Sequence, residues 1–172
     1  IIIHHGIDTE TFKPALDKTE LRHKLDLPQG NLIGCFGRIR PQKGVDIFIE
    51  VMIKACAEDP RAIGIICGHT TADHKEFEAE LKERVTNAGF SDRIIFLGTQ
   101  PSDRLPLLFA ALDIYVAPQR NEGFGLTPLE AMASGVPVIA TTAGAFEEMV
   151  LNRETGYIVE IEDIVNMTEK LI

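Results

Sequence analysis

Six short apolar runs, rich in β-branched residues and bounded by glycine or proline, recur along the chain at 32–36, 63–67, 94–97, 114–117, 136–140 and 157–159. None alternates apolar with polar residues as a half-solvated strand does, so each suits a strand covered on both faces. The segments between them carry helical spacing instead. Val45, Ile47, Phe48, Val51, Met52 and Ala55 trace one stripe, and Phe77, Leu81, Arg84 and Val85 trace another. Strict alternation of strand and helix leaves no tight hairpins, and the strands must be joined by right-handed crossovers that make the sheet mostly parallel. The expected fold is α/β: a Rossmann-like, doubly wound, mostly parallel sheet. Such sheets collect ligands at the carboxyl ends of their strands, where helix N-termini bring partial positive charge. Function is therefore sought in the loops that follow strands.

A length of 172 residues and a hydrophobic share of 45% match one such domain with a sizeable core. The chain carries 17 basic against 26 acidic side chains, a formal charge of −9, which argues against unspecific attraction to nucleic acid or an anionic membrane. An anionic ligand must then find local positive charge. Cys35, Cys56 and Cys67 are odd in number and lack C-x-x-C spacing, so they read as reduced, structural thiols in a cytoplasmic setting. No apolar run approaches the roughly 20 residues that cross a bilayer, and no secretion signal opens the chain. Ile1, Ile2 and Ile3 read as a strand, and residues 163–172 stop in a helical pattern, so the chain is expected to be part of a longer protein. Residues 17–27 read as a short charged helix that ends before Pro28.

Two loops stand out. The first strand runs into Gly37-Arg38-Ile39-Arg40-Pro41-Gln42-Lys43-Gly44, three basic residues in a glycine-containing turn just before a helix. Gly37 lets backbone approach a ligand, Arg38 can fork onto phosphate oxygens, and Lys43 adds a point charge. The alternative is a solvated loop whose charges keep it soluble. Further along comes Glu122-Gly123-Phe124-Gly125-Leu126-Thr127-Pro128-Leu129-Glu130. Thr127-Pro128 suits the first turn of a helix, leaving the amides of Leu126 and Thr127 to face an anion between two carboxylates that can accept hydroxyls. Read singly, Glu130 is equally a surface residue favoured by the helix dipole and Glu122 a turn residue.

The stretch EGFGLTPLEAMASGVPVIAT, with Glu122 and Glu130 separated by seven residues, resembles the E-x7-E signature of retaining GT-B glycosyltransferases of the group-one family. The resemblance covers nearly the whole chain, from the opening His5 to Phe12 through GRIRPQKG to the 152–159 segment. It implies that residues 1–172 are the C-terminal, nucleotide-sugar-binding half of a GT-B fold, with the N-terminal acceptor domain absent. Carried over, Arg38, Lys43 and Glu122 are the catalytic residues. Gly37, Arg38 and Lys43 meet the diphosphate, Glu122 the sugar hydroxyls, Glu130 the ribose, and Gly123, Phe124, Gly125, Leu126 and Thr127 the sugar and phosphate through their backbone. Thr99 and Gln100 border the base. The implied reaction is metal-independent, cofactor-free hexose transfer with retention, Arg38 and Lys43 stabilising the departing diphosphate.

Within the family, GCFGRIRPQKGVDIFIE and RNEGFGLTPLEAMASG are similar to bacterial lipopolysaccharide-core mannosyltransferases. That similarity implies GDP-mannose as donor and a glycan or lipid-linked acceptor, with the whole enzyme cytoplasmic or peripheral to the inner membrane. The isolated half is expected to bind donor weakly and turn it over negligibly, because half the cleft wall that excludes water is missing.

Rival readings are a non-catalytic nucleotide or phosphosugar-binding module, which needs no Glu122, and a nucleotide-sugar epimerase of the same fold. A dinucleotide-dependent oxidoreductase ranks last, since no G-x-G-x-x-G follows the first strand. The five histidines have no metal-ligand spacing. Gly68-His69-Thr70-Thr71, at the end of the second strand, either touches ligand or caps the helix from Asp73, with capping favoured, and Glu160, Glu162 and Asp163 read as solvated charge.

Overall fold

The computed structural model describes residues 5–172, so the strand expected over Ile1 to Ile3 and the histidine at position 4 lie outside the described residues. Six strands form one parallel sheet: β1 (Asn31–Phe36), β2 (Ala62–Cys67), β3 (Ile94–Gly98), β4 (Ile114–Ala117), β5 (Val138–Thr141) and β6 (Gly156–Val159). Around it lie α1 (Lys18–Lys24), α2 (Val45–Glu58), α3 (Lys75–Asn87), α4 (Leu105–Ala111), α5 (Thr127–Ala133), α6 (Phe146–Met149) and α7 (Ile164–Leu171).

The period-2 geometry of a strand splits each apolar run between two cores. Leu32, Phe36, Ile65, Tyr115 and Val138 join Leu108, Phe109, Ala131 and Phe146 of α4, α5 and α6 on one face. Ile33, Cys35, Ile66, Val116 and Ile139 join Phe48, Met52, Leu81, Val85 and Met167 of α2, α3 and α7 on the other. A buried side chain of this size contributes about 1.5–3 kcal/mol, which explains why unbroken apolar runs are kept on both faces. Arg84, expected in the α3 stripe, is instead exposed and lies 3.5 Å from Glu50 of α2. The stripe rests on Leu81 and Val85.

The strand order is β3-β2-β1-β4-β5-β6. Chain progression runs outward from β1 in one direction and from β4 in the other, so the switch point lies between these two neighbours. Their pairing spans only Ile33 with Ile114 and Gly34 with Tyr115. Beyond it the Tyr115 hydroxyl donates to the Phe36 carbonyl at 3.0 Å and takes up the Phe36 N–H at 3.4 Å. A buried phenol thus holds together two strands at the switch point, beyond the end of their short pairing.

The fifth strand begins two residues later than its apolar run. Gly135, at φ 73°, closes α5: its N–H reaches the Met132 carbonyl and that of Val136 reaches Ala131, a Schellman ending. Val136 thereby serves the helix, and Pro137, without an N–H, stands before the ladder. Helix α1 begins where expected, Asp17 accepting from Glu20 N–H at 3.0 Å. Before α3 a 3-10 turn intervenes over Ala72–His74, and Thr71 makes no side-chain cap there.

Candidate active site

Both loops singled out by composition leave neighbouring strands, β1 and β4, at the switch point. The first contains a 3-10 turn over Pro41–Lys43 and ends at Gly44, whose φ of 68° favours glycine. A Cβ there would stand 1.9 Å from the Pro118 carbonyl oxygen, so the two loops touch backbone to backbone. Across this contact Lys43 Nζ pairs with Glu122 Oε2, side chains only 19% and 17% exposed. The other oxygen of Glu122 accepts from the Gly123 N–H at 3.0 Å. Residues 79 positions apart in sequence are thus joined at one sheet edge.

Arg38 is exposed on the same loop and makes no ion pair among the described residues. Gly37 faces open space, with nothing within 4 Å of a Cβ placed on it, and so does Gly123. Gly125 does not: at φ 88° its Cβ would lie 2.2 Å from the Phe146 ring, so the turn packs tightly onto the core under α6. Phe124, between those glycines, meets the His5 ring at 4.9 Å, bringing the leading segment against the β4 loop. The amides of Leu126 and Thr127 find no acceptor among the described residues.

Glu130 sits in the first turn of α5, half-buried, and burial pushes its carboxyl above the usual range. In the floor, burial pushes the Cys35 thiol up to about 12, with Lys43 opposing and Asp46 reinforcing the shift. All three cysteines are buried and unpaired.

Thr99 and Gln100 follow β3, the outer strand, two strands from β1. The Gln100 amide is engaged at both ends, donating to the Leu97 carbonyl at 2.7 Å and accepting from Arg104 at 3.0 Å. Only exposed Thr99 of that pair has a side chain with no hydrogen bond among the described residues. Two groups read as mere solvated charge have partners: Glu162 accepts from Arg120 at 2.7 Å, and Asp163 caps α7 through the Asn166 N–H at 3.0 Å. Arg120 itself carried no local signal. Among the described residues no three His, Cys, Asp or Glu side chains converge as they would around a metal ion.

Comparison with known proteins gives a consistent answer. The profile of the family described as glycosyl transferases group 1 matches residues 17–172. The lipopolysaccharide core biosynthesis mannosyltransferase LpsB of Rhizobium meliloti (strain 1021) is 50% identical over 171 residues, which are 98% of this chain and 48% of that protein. The crystal structure of the C-terminal domain of a glycosyl transferase group 1 family protein, LpcC from Francisella tularensis, superposes with a TM-score of 0.91 at 40% identity. That match covers 96% of this chain and 86% of that one. Anabaena Alr3699/HepE, solved in complex with UDP, matches with a TM-score of 0.85 at 30% identity, over 97% of this chain and 46% of that one. The chain spans about half the length of the curated relatives it matches.

Proposed function

Because the chain belongs to the group 1 glycosyl transferases, we propose that residues 1–172 form the donor-binding half of a retaining, metal-independent hexosyltransferase whose acceptor-binding half lies elsewhere in the protein. The observation that carries this reading is the Lys43–Glu122 pair at the β1/β4 switch point. A cation suited to a diphosphate and a carboxylate suited to sugar hydroxyls are held side by side where such sheets bind ligands. In this reading Arg38 and Lys43 take the diphosphate and stabilise charge on the leaving group. Glu122 orients the transferred hexose, Glu130 takes the ribose, the 123–127 backbone meets sugar and phosphate, and Thr99 and Gln100 border the base.

Without donor, Lys43 and Glu122 satisfy each other. Donor entry replaces that pair with two contacts of the same kind, phosphate on the lysine and hydroxyls on the carboxylate. The names of the relatives support mannose as the hexose and a lipopolysaccharide-core acceptor, with GDP-mannose as the corresponding donor and a cytoplasmic site of action.

The test is calorimetric titration of GDP-mannose, UDP-glucose, UDP-galactose and ADP-glucose into the chain. GDP-mannose is expected to bind tightest, and Arg38→Ala or Lys43→Ala to weaken every nucleoside diphosphate by about 1.5–3 kcal/mol per charge-assisted contact. Unchanged affinity in both variants contradicts the site. Glu122→Ala separates a transferase from a plain nucleotide-binding module: the first loses its preference between sugars, the second does not. No transfer by the isolated half is expected, and robust turnover by it would contradict the division of labour.

A further inference from the structure

Arg120, two residues before Glu122, turns its side chain toward the opposite loop. Its Nη1 donates to the Pro41 carbonyl at 2.7 Å and to Asp46 Oδ1 at 2.8 Å, Nη2 donates to Asp46 Oδ2 at 2.7 Å, and Nε donates to Glu162 Oε1 at 2.7 Å. Its backbone N–H donates to the Gln42 carbonyl at 3.0 Å, and that of Asn121 reaches the same oxygen at 3.4 Å. One residue therefore grips Pro41 and Gln42 on one side of Lys43 and Asp46 on the other. The Asp46 contact is bidentate, which fixes the plane of the guanidinium as well as its distance. Burial works against ionisation of Asp46, and the Arg120 guanidinium, together with the Asp46 and Ile47 N–H groups, outweighs it, holding the carboxyl below the usual range. Glu162 reaches the group from the β6–α7 turn with φ at 67°, a backbone region that non-glycine residues seldom adopt.

This convergence is more than surface pairing. The Arg120 and Asp46 side chains are 29% and 21% exposed, and two segments far apart in sequence, 41–46 and the turn at Glu162, end on one guanidinium. Four hydrogen bonds to protein occupy its donors, leaving little with which to hold a ligand. We propose that Arg120 is a positioning residue of the donor site: by clamping the Pro41 carbonyl and the Asp46 carboxylate it sets the position of Lys43 relative to Glu122, without itself touching the donor. The proposal rests on the donor-site reading above.

A double-mutant cycle tests it, read by calorimetric titration of GDP and of UDP into the chain, with melting temperatures recorded in parallel. Arg120→Ala should weaken the tighter-binding nucleotide about tenfold, as loss of a supporting outer residue does. In a Lys43→Ala background the same change should add almost nothing, because both substitutions remove one interaction. Arg120→Lys keeps the charge but not the fork, and should recover only part of the loss. Where Arg120→Ala does not fold, the cycle is read with Arg120→Lys. A lower melting temperature with unchanged nucleotide affinity, or an equal loss with and without Lys43, overturns the proposal. If neither nucleotide binds, or Lys43→Ala leaves binding intact, the donor-site reading itself has failed and this inference falls with it. A weakened Lys43→Ala beside an unaffected Arg120→Ala condemns the Arg120 role alone.

Discussion

Glu130 occupies the first turn of α5, makes no ion pair among the described residues, and has its carboxyl raised by burial. A carboxyl whose folded value lies above its unfolded value, near 4.3, costs nothing where both states are protonated. The cost appears as pH rises through the unfolded value and is complete above the folded one. Glu130→Gln should therefore melt at a higher temperature than the parent at pH 7, and the difference should vanish below about pH 4 in thermal melts followed by circular dichroism. The same variant should bind a nucleoside diphosphate about tenfold more weakly, the cost of losing one hydrogen bond to a charged group. A Gln variant that melts lower at pH 7 would contradict the assignment of the shift to burial. The thiols provide a second check at this scale. Burial pushes Cys35 to about 12 and Cys67 to about 11, and raises Cys56 as well. None should react with a thiol-modifying disulfide at pH 8 in the folded chain, and all three should react after denaturation.

Between elements, the two site loops are held at a fixed separation by the approach of Gly44 to Pro118, the Arg120 clamp and the Lys43–Glu122 pair. Gly44→Ala places a methyl group against the Pro118 carbonyl at a left-handed φ, and should cost about 2 kcal/mol or more. For a domain of this size that lowers the melting temperature by about 4–8 °C. An unchanged melting temperature would mean that the loops can part freely. Most strands were legible because burial on both faces demands an uninterrupted apolar run, which is a local signal. The late start of β5 was not, since Val136 is apolar for the sake of the α5 ending. Clustered cations beside glycine marked the first loop, and glycines between two carboxylates the second, so Lys43 and Glu122 could be read separately. Their meeting, the strand order, and the pairing of Arg120 with Asp46, 74 residues away, depend on long-range register that no local pattern encodes. Arg84 was misread because spacing alone does not separate an exposed aliphatic stem from a core residue.

On the scale of the whole molecule, the chain carries a core on each face of one sheet, so it should unfold in a single cooperative step, with ellipticity and thiol exposure changing together. Two separated transitions would show that the two layers are independent. The formal charge of −9 sets a repulsive background for any diphosphate. In the proposed reading, binding is won locally at Arg38 and Lys43, both on the β1 loop, with the lysine paired to Glu122 of the β4 loop. Where a diphosphate comes to rest is therefore decisive, and the direct measurement is a crystal structure of the chain with GDP bound. The expected result has Lys43 Nζ released from Glu122 and within about 3 Å of a phosphate oxygen, with Arg38 on the same group. A nucleotide seated elsewhere, with the Lys43–Glu122 pair intact, would contradict the account.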